Sequence, residues 1–348
     1  MPITKLHIDE FLNLAETSLL LDVRSPSEYA HGHIPQAVSL PLFTDEERKV
    51  VGTAYKQESK QKAIKHGLKY FGTNMVQMVE TVEGLLSKGN YGSTVLLYCW
   101  RGGMRSSGVA WLLDLYGFKV YTLVGGYKAY RNWVLEQFDK EYHIYILGGL
   151  TGSGKTPLLY QLKKAGERII DLEALANHKG SAFGGLDGME QPTAEMFENL
   201  LSSELFKLNT GTAAIWMENE SQRIGNINMP SSFFRNFRTK PILFLEIPFE
   251  ERLNHIVSEY GKHKKEDLIN TIVRIKKRLG GLETKNAINF LLEDNVKECF
   301  RILLSYYDKW YIKGNADRGN PEQSIITIHA GTVNVLANAN KLLNHARR

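Results

Sequence analysis

His143-Ile-Tyr-Ile-Leu147-Gly-Gly149-Leu-Thr151-Gly152-Ser153-Gly154-Lys155-Thr156 runs from a short apolar stretch straight into a complete GxxxxGK[ST] loop. Strand, glycine-rich loop and helix in that order form the context in which such a loop cradles phosphate. Backbone N–H groups of Gly149, Thr151, Gly152, Ser153 and Gly154 are the expected cradle, with charge from Lys155 and a hydroxyl from Thr156. Pro157 follows at once, and a proline in a first helical turn loses no intrahelical bond. Further apolar runs at Arg168–Asp171, Ala213–Met217, Pro241–Leu245 and Ser324–Ile328 predict the remaining strands of an α/β sheet. Between residues 250 and 312 the spacing turns helical, as in Leu268, Ile272, Ile275 and Leu279. Residues 138–348 therefore read as a P-loop α/β domain with a helical C-terminal part.

Upstream, residues 1–137 read as a separate parallel-sheet domain. Ser18-Leu-Leu-Leu-Asp22-Val23 and Thr94-Val-Leu-Leu-Tyr98 are apolar runs of the kind buried in parallel sheets. Ser25 caps a helical turn opened by Pro26, and His31–Val38 loops back to a further strand. Cys99-Trp-Arg101-Gly-Gly-Met-Arg105-Ser106 then follows the second run, ahead of a helix expected over Arg105–Tyr116. Catalytic groups of α/β sheets sit at the carboxyl ends of strands, which is where this sequence puts Cys99. A thiol reacts as its thiolate, and converging N–H groups, a helix N-terminus, Arg101 and Arg105 all favour the anion. The same cradle suits a phosphate-like or selenophosphate-like group, or a terminal persulfide. Cys299, among Phe300 and Leu303, reads as a packing residue.

Bulk properties set limits. The chain has 348 residues, enough for two domains with their own cores. It has no run of ~20 apolar residues that would span a membrane. The start, Met-Pro-Ile-Thr-Lys, lacks a signal-peptide layout, so a cytoplasmic location is expected. Two cysteines make no disulfide framework and no four-ligand zinc pattern. A net charge of +5 permits a nucleic-acid partner without requiring one.

Several strings carry a family resemblance. Asp22-Val-Arg-Ser-Pro-Ser-Glu28-Tyr29, Gly32-His-Ile-Pro35-Gln-Ala37 and the Cys99–Arg105 loop resemble a rhodanese domain, in which the cysteine carries sulfur. Five residues separate Cys99 from Arg105, one more than in the common rhodanese loop and similar to rhodanese-fold phosphatases. Tyr98 stands where those phosphatases usually place histidine, which counts against that class. With the phosphate loop, Ile170-Asp-Leu-Glu-Ala-Leu-Ala-Asn-His178-Lys-Gly-Ser-Ala-Phe-Gly-Gly185 and Glu218-Asn-Glu220-Ser-Gln-Arg223-Ile-Gly225, the chain resembles the bacterial tRNA 2-selenouridine synthases.

That resemblance implies a transferase acting on 2-thiouridine at the tRNA wobble position. The sulfur is geranylated from geranyl diphosphate, and selenium from selenophosphate then replaces it. Cys99 would accept selenium or position selenophosphate beside Arg101 and Arg105. The Gly149–Thr156 loop and Lys155 would bind the diphosphate. Thr156 with Asp171 or Glu218 would hold Mg²⁺ if one is used, and no tightly bound cofactor is expected. Asp171 reads equally well as a helix cap. Glu218, Glu220 and Arg223 are expected together at a strand end. An enzyme that makes selenophosphate is a candidate partner. For tRNA itself, residues 262–285 hold eight Lys/Arg against three acids, with Lys276, Lys277 and Arg278 the densest part. Arg235, Arg238 and Lys240, near Phe233, Phe234 and Phe237, form a second basic cluster. Competing readings are a rhodanese-type sulfurtransferase fused to a P-loop kinase or NTPase, and a phosphatase-like module switched by nucleotide.

Overall fold

In the computed structural model, which describes residues 3–89, 91–179, 190–209, 211–316 and 325–346, the apolar runs form two parallel sheets. Each belongs to its own unit, residues 1–137 with 198–203, and residues 138–197 with 204–348. The short detour of 198–203 into the first unit has a local cause. Asn199 donates to the His33 carbonyl at 2.9 Å and to the Tyr127 hydroxyl at 2.8 Å, and Glu198 pairs with Arg131.

The first unit contains β1 (Thr4–Leu6), β2 (Leu19–Asp22), β3 (Val38–Ser39), β4 (Thr94–Tyr98) and β5 (Lys119–Leu123), in the order β1-β5-β4-β2-β3. All neighbours are parallel. Both faces of the central strands are covered, so β2 and β4 are apolar nearly throughout. Leu19, Leu21, Val95 and Leu97 pack with Val109 and Leu113 of the helix Met104–Tyr116. Phe71, Met78 and Val82, from the helix Lys60–Lys88, join the same core. Next to β2, the Arg24 guanidinium is buried. It donates to Asp22 and to the Gly32 carbonyl, and lies 3.7 Å from the Tyr127 ring centroid.

The second unit contains β6 (Ile144–Gly149), β7 (Arg168–Ile170), β8 (Ile215–Glu218), β11 (Ile242–Glu246) and β12 (Ile325–His329), in the order β12-β11-β6-β8-β7. Again all pairs are parallel. The expected run Ser324–Ile328 becomes β12, with Ser324 outside the described residues. A small antiparallel ladder, β9 (Arg223–Ile224) with β10 (Ile227–Asn228), follows β8. Between β11 and β12 lie the helices Phe249–Tyr260, Lys265–Leu279, Gly281–Leu292 and Val296–Ala316. They bury a core of their own around Leu253, Ile272, Leu291, Phe300 and Leu303, and β11 still pairs directly with β12. Among the described residues no helix is long and apolar enough to cross a membrane.

Candidate functional site

In the first unit, Cys99 lies just past β4 at 3% exposure, with its Sγ 3.2 Å from the Ser106 hydroxyl. The loop after it is locked to the start of the helix Gly126–Gln137. Tyr127 N–H donates to the Cys99 carbonyl at 2.8 Å, and Lys128 N–H to the Trp100 carbonyl at 3.0 Å. Gly102 takes a φ of +62°, and a Cβ there would meet the Leu123 carbonyl oxygen at 2.6 Å. A Cβ on Gly126 would stand 2.3 Å from the Cys99 carbonyl oxygen, so the two loops fit only as bare backbone.

Burial pushes the Cys99 thiol up. The Ser106 hydroxyl, the Arg105 charge and the N–H groups of Ser106 and Arg101 outweigh it and hold the thiol below its ordinary value. Arg105 is not loose in the loop, because Glu28 grips it with both carboxylate oxygens, the shorter bond being 2.7 Å. Glu28 also accepts the Ser25 N–H at 3.1 Å. Arg101 has an exposed side chain on the loop rim. Trp100 packs 5.8 Å from the Tyr127 ring and keeps 38% of its surface exposed. Tyr98 points its hydroxyl at Ile34 N–H, 3.1 Å away.

In the second unit, the phosphate loop sits between β6 and the helix Lys155–Lys164. Gly152 adopts a φ of +82°, and a Cβ there would meet Ile256 at 2.7 Å and the Arg252 carbonyl oxygen at 2.8 Å. Arg252 fixes the outer side of the loop. It donates to the Thr151 carbonyl at 2.9 Å and forms a two-point ion pair with Asp308 at 3.0 and 2.8 Å. Lys155 Nζ donates to the Gly149 carbonyl at 3.1 Å, and the Gly149 N–H donates to the Tyr311 hydroxyl at 3.4 Å. Burial works against the Lys155 charge, yet Tyr311, Glu218, Glu220 and Glu173 around it hold the ammonium above its ordinary value.

Glu218 ends β8 at 2% exposure, and its Oε1 meets no hydrogen-bond partner among the described residues. Burial, opposed by Lys155 and helped by Glu173 and Asp171, pushes its carboxyl up to about 7. Glu220 is raised for the same reasons, burial first and then Glu173 and Glu218. The structure thus brings Glu218 to Lys155 and Thr156, and Glu220 to Lys155. Asp171 is used locally, its Oδ1 accepting the Ala174 N–H at 2.9 Å as the cap of Leu172–Leu175. Arg223 turns back on its own hairpin, donating to the Gly225 carbonyl at 2.8 Å. Glu218 and Thr156 suit a hard cation, since the Thr156 hydroxyl lies close to a carboxylate that has one buried oxygen without a partner among the described residues. No cluster of three or more His, Cys, Asp or Glu able to hold a metal occurs among the described residues, so a Mg²⁺ here would need phosphate oxygens and water as further ligands.

Lys276, Lys277 and Arg278 are all exposed in the last turn of Lys265–Leu279. The second basic cluster is less available. Phe233 and Phe237 are buried, and Lys240 pairs with Glu141 at 2.9 Å. Within the string that ends at Gly185, residues 180–185 lie outside the described residues. Reading the sequence assigned no role to Glu28, Ser106, Glu173, Tyr311, Arg252 or Gly126. Of these, Glu28, Ser106 and Glu173 stood inside quoted motifs, whereas Arg252 is joined to Asp308 only by folding.

Residues 142–327 match the family described as tRNA 2-selenouridine synthase AAA domain, and residues 7–132 the rhodanese-like domain. A tRNA 2-selenouridine synthase of Sulfurovum sp. is 37% identical over 86% of this chain and 90% of its own length. One from Hydrogenovibrio crunogenus is 36% identical over 84% of this chain and 88% of its own. A third, from Bdellovibrio bacteriovorus, is 32% identical over 91% and 94%. With a rhodanese-like sheet carrying a poised cysteine and a phosphate loop on a second sheet, the chain belongs to the tRNA 2-selenouridine synthase family and is an enzyme.

Proposed function

We propose that this chain converts wobble 2-thiouridine of tRNA into 2-selenouridine by way of an S-geranyl intermediate. The observation that carries the reading is Cys99, a buried thiol held below its ordinary value by Ser106, Arg105 and two loop N–H groups. In the first step the thiouridine sulfur attacks C1 of geranyl diphosphate. The C–S bond forms, the C–O bond breaks and diphosphate leaves. Lys155 and the loop N–H groups would neutralise the charge developing on that leaving group. Mg²⁺, held by Thr156 and Glu218, would add further charge neutralisation at the phosphate oxygens.

Alkylation makes the sulfur a better leaving group, so the second step follows naturally. Selenium of selenophosphate attacks C2 of the base and geranylthiol departs with a proton. Water then cleaves the Se–P bond to give phosphate. Selenium enters at the selenide level, so no oxidant is needed. A perselenide on Cys99 would need one, and we therefore assign Cys99 and Arg101 to positioning selenophosphate. An enzyme that makes selenophosphate would supply it. The test is nucleoside mass spectrometry of thiolated tRNA incubated with the chain, geranyl diphosphate and selenophosphate. Geranylated and then selenated nucleoside is expected in order. Selenation without geranyl diphosphate would sink the two-step scheme.

A further inference from the structure

The helix Val296–Ala316 carries Tyr306, Lys309, Trp310 and Lys313 at intervals of three and four residues, so they share one face. The Tyr306 and Trp310 rings meet edge to face with centroids 6.3 Å apart. Lys313 Nζ lies 5.6 Å from the Trp310 centroid, and Lys309 is exposed beside it. From the end of Lys265–Leu279, the Arg278 charge lies close enough to act on the Tyr306 hydroxyl. Helix packing does not explain this face. The core is built by Cys299, Phe300, Leu303 and Leu304 of the same helix, while Trp310 remains 49% exposed. The next residue, Tyr311, turns inward and takes the Gly149 N–H of the phosphate loop.

We infer that Tyr306 and Trp310 form a stacking platform for unpaired bases of the substrate RNA, with Lys309, Lys313 and Arg278 meeting the adjoining phosphates. Flat rings set among cations match the alternation of base face and phosphate in a single strand. A folded acidic partner offers the charge but not the flat faces. Trp310 is the chain neighbour of Tyr311, whose hydroxyl meets the phosphate loop, so the platform and a contact to that loop share one helix. The inference rests on tRNA being the substrate, as proposed above. It adds where the loop bases bind and by what contact.

The test is fluorescence anisotropy of the full chain with an anticodon stem-loop, a duplex stem of equal length and polyglutamate. Trp310→Ala should weaken stem-loop binding about tenfold or more, within the range for losing one stacked base. The slope of log affinity against log salt should stay as in wild type, and the duplex should bind both proteins alike. Trp310→Phe should restore most of the loss, which separates stacking from damage to the fold. Equal stem-loop affinity for wild type and Trp310→Ala would overturn the platform while leaving the tRNA reading intact. Equal losses on stem-loop and duplex, or wild-type binding of polyglutamate as tight as of stem-loop, would also overturn it. A wild-type chain that ignores the stem-loop would overturn the platform and the tRNA reading together.

Discussion

Arg105 and Glu28 are 77 residues apart in sequence and face each other as a two-point pair, Nη1 to Oε2 at 2.7 Å and Nη2 to Oε1 at 3.3 Å. The arginine that closes the cysteine loop is thereby aimed by the helix Pro26–His31, whose capping residue, Ser25, gives its N–H to the same carboxylate. Arg105 acts on Cys99 as a fixed charge, while Arg101 stays exposed on the loop rim, where the proposed function would have it meet an anion.

Glu28→Ala should therefore destabilise the first unit by about 2 kcal/mol, the scale of lost hydrogen bonds to a charged group. Burial would raise the Glu28 carboxyl, but Arg105 outweighs it and holds the group below its ordinary value. A lowered carboxylate contributes its stability above the ordinary carboxylate range and loses it as pH falls through the lowered value. Urea melts of wild type and variant should thus differ at neutral pH and converge on strong acidification. A constant gap across pH would mean that the effect is packing and not charge.

Cys99→Ser should abolish selenium incorporation while sparing geranylation, because only selenium handling uses the thiol. The two cysteines should also differ in chemistry. Burial pushes Cys299 up to about 12, and Cys99 is lowered. Limited iodoacetamide treatment read by peptide mass spectrometry should label Cys99 first. Faster labelling of Cys299, or full selenation by the serine variant, would remove Cys99 from the chemistry.

Lys155→Ala should slow geranylation roughly 100-fold or more, the scale for removing one preorganised charge stabiliser. Pre-geranylated tRNA should bypass the defect and be selenated normally. Single-turnover assays with each substrate separate the two steps, and normal use of geranyl diphosphate by the variant would move that substrate elsewhere.

Changing Lys276, Lys277 and Arg278 together to Ala should weaken binding of all tRNAs alike. It should also flatten the log-affinity versus log-salt slope by roughly one unit for each phosphate no longer neutralised. Filter binding across a salt series measures both. An unchanged slope would reduce these residues to a solvated helix end.

What the sequence revealed was what depends on neighbours along the chain. The apolar runs of β2, β4, β6 and β11 are legible because a strand covered on both faces must be apolar throughout. β5 escapes notice because Lys119-Val-Tyr-Thr-Leu123 mixes polar and apolar residues, and β1 is only three residues long. At the sites, the phosphate loop and cysteine loop are contiguous strings and could be read directly. Their supports could not, since Arg252–Asp308, Tyr311–Gly149 and Glu28–Arg105 are brought together by tertiary packing alone. Asp171 and Arg223 also serve local structure, and for Asp171 the cap was one of the two roles its sequence offered. Both sit inside motif strings, yet one serves its own helix end and the other its own hairpin.

β11 and β12 are nearest neighbours in the sheet, although four helices among the described residues separate them in sequence. In an ordinary α/β sheet a single helix makes that crossing. Here the crossing has grown into a small body with its own apolar centre, and the basic helix end and the aromatic ridge both ride on it. Such an appendage can lengthen, shorten or exchange its outer surface without disturbing the ladder beneath. On the function proposed above, the surface that would choose a nucleic acid is thereby free to diverge among descendants, while the loop that would hold diphosphate stays as it is.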